Sequence, residues 1–352
     1  MSDHRLINGF VVAAGLTSVA LAGRSLARSS TRAVPEGGIN EGFYLTIGGV
    51  KQWISIYGED ISNPVLLFLH GGPGGALSSI GWTVLNKIGD IFTVVNWDQR
   101  NCGKSRDMSQ DDIPLTPELF ISDAVELTNY LRRRFDREKI TLTGISWGSL
   151  LGSNLALDYP EFYDAWIPMS LLVDWRENEF FMKETALRIA AEKGDDALRK
   201  IAETYDPDAD DDNHNKMRSA LIDGIFKERM SEADVSLAWA MFASPFFTLN
   251  DIMQNMTGKM YPKKLIDDFI RAGGFRDMSL KGRTEYKMPF YLIEGDHDSN
   301  CSYELAKSYY EEIKTPDKAL YICEGGGHMS PMIRTKEFAA HFHDIRKRMQ
   351  NR

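Results

Sequence analysis

A serine between two glycines is the first feature of this sequence that suggests catalytic chemistry. The segment GISWG, residues 144–148, places Ser146 directly after an apolar run and directly before a stretch with helical periodicity. A strand, a sharp turn and a helix in this order expose a serine hydroxyl at the edge of a sheet, and the turn needs small flanking residues. The pattern predicts a nucleophilic Ser146, and the alternative is a chance match in a glycine-rich turn.

A serine hydroxyl attacks a carbonyl only when a base accepts its proton and an acid orients that base. Candidates for both roles follow Ser146 along the chain. Asp296 and Asp298 come after the apolar run PFYLIEG, and His328 comes after the run ALYIC and a glycine-rich stretch. We predict His328 as the base and favour Asp298 as the acid, because Asp296 directly follows a glycine and suits a turn-capping role.

A glycine-rich loop upstream offers the backbone donors that this reaction needs. The segment LFLHGGPGGALSS spans residues 67–79, and its glycines let the backbone approach a ligand closely. When a serine stands on a strand–helix turn, such a loop donates one N–H to the oxyanion, and the residue after the serine donates another. We predict Gly72 and Trp147 in these roles. A phosphate-binding loop is the alternative, and the segment lacks the Gly-Lys-Ser/Thr context of one.

The apolar pattern around these residues indicates the elements that position them. Residues 42–57 alternate apolar and polar side chains around Gly48 and Gly49, which predicts a β-hairpin. Short unbroken apolar runs follow and indicate strands buried on both faces. These runs are VLLFL (65–69), FTVVNW (92–97), ITLTGI (140–145), AWIPM (165–169), PFYLI (289–293) and ALYIC (319–323). Helical patterns lie between several of them, so the sequence predicts an α/β fold with a mostly parallel central sheet and helices on both faces.

Residues 171–285 interrupt this alternation of strands and helices. The region is rich in Met, Trp, Phe and charged residues, has mainly helical periodicity and contains no convincing strand. We predict that it is a helical cap, inserted into a core formed by residues 36–170 and 286–352. Such a cap would lie over the carboxyl edge of the sheet, where open α/β sheets bind ligands.

The first 35 residues are predicted to be a leader outside this fold. Residues 6–23 carry no charge, and three arginines follow within the next nine residues. Three interpretations stay open: a signal peptide, a short membrane anchor that leaves the main domain cytoplasmic, and a poorly ordered leader. The tail of this segment has the composition of a linker. Cytoplasmic, membrane-associated and secreted locations all remain compatible with the sequence.

The composition of the chain limits which partners and cofactors it can bind. The chain of 352 residues has 41 basic and 50 acidic residues, a net charge of −9, so no basic field exists to hold nucleic acid. Three scattered cysteines are too few for a disulfide framework or a metal cage. We therefore expect no metal or other cofactor, a small molecule or short peptide as substrate, and membrane contact through residues 6–23 only. The oligomeric state stays open.

Five segments together resemble the proline iminopeptidases and their α/β-hydrolase relatives. The segments are HGGPG (70–74), DQRNCGKS (98–105), GISWG (144–148), GDHD (295–298) and GH (327–328). The resemblance covers about residues 42–170 and 287–350. It implies an α/β-hydrolase fold with an inserted cap and a cofactor-independent serine hydrolase, with Asp298 as the acid. Asn101 and Asp296 stand where the family has Gly and Arg.

The cap carries the specificity of that family, and the resemblance is weakest there. Iminopeptidases hold the free amino group of the substrate with cap glutamates, and the familiar Trp-x-x-Trp-Glu segment is not found here. Glu177, Glu179 and Glu184 are the candidates instead, and solvated charge on a cap helix is the alternative. Trp239 is one of several cap aromatics predicted to line the substrate pocket or to pack within the cap.

The resemblance implies an aminopeptidase that releases N-terminal residues, with proline as the leading candidate. A carboxylesterase acting on small apolar esters is the close alternative. A hydrolase-fold binding or receptor protein with little turnover is the alternative from another class. Epoxide hydrolases and dehalogenases of this fold place aspartate at the position of Ser146, which argues against those activities.

Overall fold

The computed structural model describes residues 21–209, 212–225 and 236–352. An eight-stranded sheet lies at its centre, with the strand order β1-β2-β4-β3-β5-β6-β7-β8. The strands are β1 Ile39–Ile47, β2 Val50–Gly58, β3 Val65–Leu69, β4 Thr93–Asp98, β5 Ile140–Ser146, β6 Tyr163–Leu171, β7 Phe290–Gly295 and β8 Lys318–Cys323. β1 pairs with β2 and β2 with β4 in antiparallel register, and the remaining neighbours are parallel. The predicted hairpin and apolar runs thus form one mostly parallel sheet.

Helices cover both faces of this sheet. Residues 21–32 are helical and are called α1 here. The other helices are α2 Trp82–Leu85, α3 Pro117–Arg134, α4 Trp147–Asp158, α5 Trp175–Lys193, α6 Asp196–Thr204, α7 Asp212–Ile225, α8 Leu237–Ala243, α9 Leu249–Met256, α10 Lys263–Arg271, α11 Tyr303–Glu312, α12 Ser330–Ile333 and α13 Thr335–Gln350. Helices α3, α4 and α11 pack on one face of the sheet, and α2 and α13 pack on the other.

Strand β3 shows why the parallel strands are apolar throughout. All five of its residues are fully buried. Leu67 belongs to the cluster beneath α3 and α4, while its neighbour Leu66 belongs to the cluster beneath α13. Successive side chains of a strand point to opposite faces, so a strand covered on both faces needs apolar residues at every position. The predicted α/β fold is confirmed.

The described residues between β6 and β7 form helices α5 to α10, and this segment is called the cap below. Helices α5, α6 and α7 share a small apolar cluster of their own, with Met182 and Leu221 among its members. In contrast, Leu265 and Phe269 of α10 belong to the main cluster beneath α3 and α4. The cap therefore has a core of its own and also packs directly into the core of the sheet.

Helix α1 does not match the linker predicted for the end of the leader. Arg24 is 6% exposed, and its guanidinium donates to the carbonyl oxygens of Phe242 and Phe247 at 3.1 and 2.6 Å. Arg28 and Arg32 both donate to Pro245 O. Carbonyl groups at the end of α8 and in the segment between α8 and α9 thus accept from the arginines of α1 and dock this helix against the cap. A composition typical of linkers did not reveal these distant acceptors.

The apolar segment 6–23 lies almost entirely outside the described residues. Its interpretation as a signal peptide, an anchor or an unstructured leader therefore stays a prediction. Among the residues that the structure describes, no helix combines the length and the apolar character needed to cross a membrane.

Candidate active site

Ser146 ends β5 and caps the N-terminus of α4 in an unusual backbone conformation. Its φ is +57° and its ψ is −121°, a region that residues other than glycine rarely occupy. The flanking glycines are sterically required: a Cβ on Gly144 would collide with the carbonyl of Gly148, and one on Gly148 would collide with the carbonyl of Leu69. Strain of this kind persists at functional sites, where the surrounding structure enforces it.

His328 and Asp298 meet at the same edge of the sheet. Asp298 follows β7 and His328 follows β8, and the two strands are parallel neighbours. His328 Nδ1 lies 2.8 Å from Asp298 Oδ2. The other carboxylate oxygen, Oδ1, accepts the N–H groups of Asn300 and Cys301, each at 2.9 Å. These bonds hold a buried Asp298 carboxylate in an orientation that faces the imidazole.

The loop that carries Asp298 contacts Ser146, and His328 is bonded to the strand next to β5. Cys301 Sγ, which adjoins Asp298 in the loop after β7, lies 3.9 Å from Ser146 Oγ. Ser170 in β6, the strand next to β5, donates its hydroxyl to His328 O at 2.7 Å. The predicted nucleophile, base and acid therefore lie at the carboxyl ends of β5, β8 and β7, at the same edge of the sheet.

Asp296, the other candidate acid, has different partners. Its Oδ1 lies 2.9 Å from His297 Nδ1 and accepts the Gly326 N–H at 3.2 Å. These bonds stabilise the glycine turn that precedes His328. Asp296 thus bonds the turn after β8, while Asp298 contacts the histidine.

His70 orients the glycine-rich loop beside Ser146. The ring is fully buried, and this burial lowers the pKa of His70 to about 4, so the imidazole is neutral at pH 7. Its Nε2 accepts the Gln99 N–H at 3.1 Å, and its Nδ1 therefore carries the proton and donates to Gly71 O at 2.8 Å. Gln99 Nε2 also donates to His70 O at 3.1 Å. The segment DQRNCGKS thus supports the loop through Gln99.

The peptide between Gly71 and Gly72 lies next to Ser146. A Cβ on Gly71 would stand 3.3 Å from Ser146 Cβ. The Gly71 carbonyl accepts from His70 and also from the Gly75 N–H at 3.0 Å. In a trans peptide the C=O and the N–H point in opposite directions, so the Gly72 N–H points away from these two donors. This orientation is compatible with the predicted role of the Gly72 N–H as an oxyanion donor.

Trp147 follows Ser146 as the first residue of α4. The first N–H groups of a helix have no acceptor within it, which makes the Trp147 N–H a second available donor. The side chain is buried: its indole Nε1 donates to Gln99 Oε1 at 2.9 Å, and its ring packs edge-on against Phe269 and Phe275. Gln99 thus ties together the two segments that carry the predicted oxyanion donors.

We expect the buried His70 to make stability depend on pH. Between pH 6.5 and about 4 the unfolded chain binds a proton at this residue and the folded chain does not, so acidification favours unfolding. Relative to His70→Gln, the wild type should lose about 2 kcal/mol of unfolding free energy between pH 7 and pH 5. Denaturant unfolding of both proteins at several pH values measures this.

Asp98 also makes stability depend on pH, in the opposite direction, and the comparison with His70→Gln removes its contribution. Burial raises the pKa of Asp98 to about 6, so Asp98 favours folding as the pH falls below 6. Both proteins contain Asp98, and its effect cancels in their difference. A stability difference that does not change with pH would contradict the assignment of a neutral, buried His70.

The structure shows which partners the predicted substrate residues of the cap have. Glu177 forms an ion pair with Lys281 at the surface. Trp239, on α8, is 52% exposed and packs against Phe242 rather than enclosing a pocket. Glu179 is fully buried and has partners already. The sequence placed all three on the cap but contained no signal for which way their side chains face.

Glu179 belongs to a buried polar cluster within the cap. Its Oε1 accepts Arg218 Nε at 2.8 Å, and its Oε2 accepts the hydroxyl of Tyr205. His214 Nε2 lies 3.1 Å from the same hydroxyl oxygen. Both carboxylate oxygens are therefore engaged, which leaves neither free for the amino group of a substrate.

Three residues near the site were missed by the sequence analysis. Cys301 was treated only as one of three scattered cysteines, although its position three residues after Asp298 is a usable signal. Asn178 and Arg218 contact the loop that carries Asp298, and their roles follow from the packing of the cap alone. Within the described ranges, no group of three or more His, Cys, Asp or Glu is arranged to hold a metal ion.

Comparison with known proteins identifies the family. A family model for the alpha/beta hydrolase fold matches residues 64–203. A proline iminopeptidase of Lactobacillus delbrueckii subsp. bulgaricus is 31% identical over 304 residues, which cover 81% of this chain and 90% of the relative. The chain belongs to the proline iminopeptidase-like branch of the α/β hydrolases.

Other relatives of this α/β hydrolase agree. A probable aminopeptidase of Bacillus subtilis is 29% identical over 291 residues, covering 81% of this chain and 89% of that protein. The crystal structure of a proline iminopeptidase from Mycobacterium smegmatis superposes with a TM-score of 0.59 over 88% of this chain and 98% of that one, at 19% identity. The structural likeness supports the fold, and the sequence relatives support a hydrolase of aminopeptidase-like function.

Proposed function

We propose that this hydrolase uses Ser146 as its nucleophile, His328 as its general base and Asp298 as the residue that orients the histidine. One observation carries the proposal. Ser146 stands on a positive-φ turn at the edge of the sheet, 3.9 Å from Cys301 in the loop that carries Asp298, and His328 Nδ1 lies 2.8 Å from the buried Asp298 carboxylate. A serine on such a turn and a histidine oriented by a buried carboxylate support a Ser-His-Asp triad, in which the other ring nitrogen, Nε2, would take the serine proton.

In the proposed reaction, Ser146 Oγ attacks the substrate carbonyl while His328 Nε2 accepts the hydroxyl proton. The N–H groups of Gly72 and Trp147 donate to the developing oxyanion, where fixed donors stabilise the transition state. His328 then protonates the leaving group, and an acyl-enzyme ester remains on Ser146. Water, activated by the same histidine, releases the acyl group and restores the serine.

The proposed substrate is a peptide or amide with an unblocked N-terminal residue, and proline is the first candidate for that residue. The support comes from the relatives, which bear the names proline iminopeptidase and probable aminopeptidase. The cap, packed over the sheet edge, would bound the acyl pocket.

A second candidate is a carboxylesterase that acts on small apolar esters. The specific observation in its favour is that Glu177 and Glu179 of the cap both have ion-pair partners. Glu177 pairs with Lys281 and Glu179 pairs with Arg218, so neither offers a carboxylate to a substrate ammonium group. An ester substrate does not need such a carboxylate.

A substrate panel separates these two activities. Proline and alanine naphthylamides are compared with short p-nitrophenyl esters, and kcat/KM is measured for each. We expect hydrolysis of the proline amide, and cleavage of esters alone would reject the aminopeptidase. A fluorophosphonate probe should label Ser146 in the native enzyme, as located by peptide mass spectrometry. Absence of that label would reject the serine nucleophile itself.

A further inference from the structure

The loop after β7 carries two groups that border the reacting atoms. Asp298 contacts His328, and Cys301 Sγ lies 3.9 Å from Ser146 Oγ. Hydrogen bonds within the loop make it a tight turn, because Asp298 Oδ1 accepts the N–H groups of Asn300 and Cys301. A displacement of this loop would therefore shift the acid and the surroundings of the nucleophile together.

Asn178, near the start of α5, binds this loop at two points. Its Nδ2 donates to Asn300 O at 2.9 Å, and its Oδ1 accepts the Ser302 N–H at 2.8 Å. These two positions flank Cys301, so the planar amide spans the residue that adjoins Ser146. Asn178 is 1% exposed, which removes competition from water for both bonds.

Arg218 of α7 donates to the same loop carbonyl. Its Nη2 lies 3.2 Å from Asn300 O, while its Nε bonds to the buried Glu179 carboxylate at 2.8 Å. The guanidinium also lies over the ring of Trp175, 4.8 Å from its centroid. Glu179 is held in turn by the hydroxyl of Tyr205. Contacts within the cap thus fix the orientation of the Arg218 guanidinium that donates to the loop.

We propose that Asn178 and Arg218 are positioning residues for the catalytic acid. Through Asn300 and Ser302 they hold the loop so that Asp298 stays aligned with His328. The cap then has a role in the chemical step besides bounding the substrate pocket. This inference rests on the proposed function, because it requires a Ser-His-Asp reaction. The contrasting possibility is that these contacts only stabilise the interface between cap and core.

Asn178→Ala tests the inference. A misplaced acid lowers catalysis strongly while substrate binding changes little, so kcat should fall about 10- to 100-fold with KM within about 3-fold of the wild type. The rate at which a fluorophosphonate probe labels Ser146 should fall by a similar factor. That rate reports the activation of the nucleophile without any contribution from the natural substrate.

Asn154→Ala is the matched control. Asn154 is also buried, on α4, and its amide bridges Leu150 O, Met278 O and the Arg283 guanidinium without touching the acid loop. Its loss should lower the Tm as Asn178→Ala does and leave the labelling rate within about 3-fold of the wild type. If the probe labelled Ser146 at the same rate in Asn178→Ala and Asn154→Ala, the role of Asn178 would be purely structural and the inference would be overturned.

Arg218→Lys provides a second variant in case Asn178→Ala fails to fold. Lysine keeps a positive charge beside Glu179 but lacks the planar fork that also reaches Asn300. We expect labelling of Ser146 to slow about 3- to 10-fold, and an unchanged rate would count against the inference. Failure of the probe to label the wild type would instead overturn the proposed function, and the positioning role with it.

Discussion

Replacing Ser146 with alanine is expected to lower kcat about 10⁵- to 10⁶-fold, with little change in KM. The variant keeps the fold, the backbone donors and the Asp298–His328 pair, but no hydroxyl remains to form an acyl-enzyme. The residual rate comes from binding and from stabilisation of the oxyanion. Steady-state kinetics on the best substrate of the panel measure the loss, and labelling by the fluorophosphonate probe should disappear.

Cys301→Ala is the control for this experiment, because the thiol lies 3.9 Å from Ser146 Oγ. Burial raises the pKa of the Cys301 thiol well above its usual range, so the group stays protonated and is a poor nucleophile. The control should keep activity within about 10-fold of the wild type. Retention of more than about 1% activity by the alanine variant of Ser146 would show that another group attacks the substrate.

Replacing Asp298 with asparagine should lower kcat about 10⁴-fold. The amide keeps the size of the side chain, but it can present an N–H to His328 Nδ1 and favour the wrong tautomer. The effect should appear in kcat and in the rate of probe labelling, with the Tm measured alongside. This variant tests the acid independently of the nucleophile.

Two neighbouring carboxyl groups serve as controls for that acid. Asp296→Asn should reduce kcat by less than about 5-fold, because Asp296 bonds His297 and the glycine turn. Glu294→Gln should also have a small effect on kcat. Burial raises the pKa of the Glu294 carboxyl well above its usual range, and its Oε1 accepts the Leu171 N–H, a bond that the amide oxygen of glutamine can also accept. A larger loss in either variant than in Asp298→Asn would move the role of acid to that residue.

Much of the fold follows from local patterns in the sequence. The run VLLFL predicted a strand buried on both faces, and β3 has this burial because helices cover both sides of the sheet. The residues of the candidate site could be predicted from the sequence in the same way. Ser146, Asp298 and His328 each follow a predicted strand, and the carboxyl ends of parallel strands meet at one edge, so spacing along the chain implied proximity in space.

The partners of the polar groups in the cap could not be predicted in the same way. Glu179 was a candidate for binding a substrate amine, but it is satisfied by Arg218, 39 positions away in the sequence. Arg24 was placed in the predicted leader, yet its acceptors Phe242 and Phe247 are more than 200 residues distant in the sequence. No hydrophobic periodicity and no turn motif in the sequence marks either contact. Each depends on how separate helices pack.

The sequence by itself determined the class of fold and the residues that stand at the ends of its strands. Hydrophobic period and turn chemistry are local properties, so the chain displays them before it folds. Only the tertiary structure decided what surrounds those residues. It set Asn178 against the loop of Asp298 and turned Glu179 towards Arg218, because a buried polar group takes whichever partner packing brings within reach.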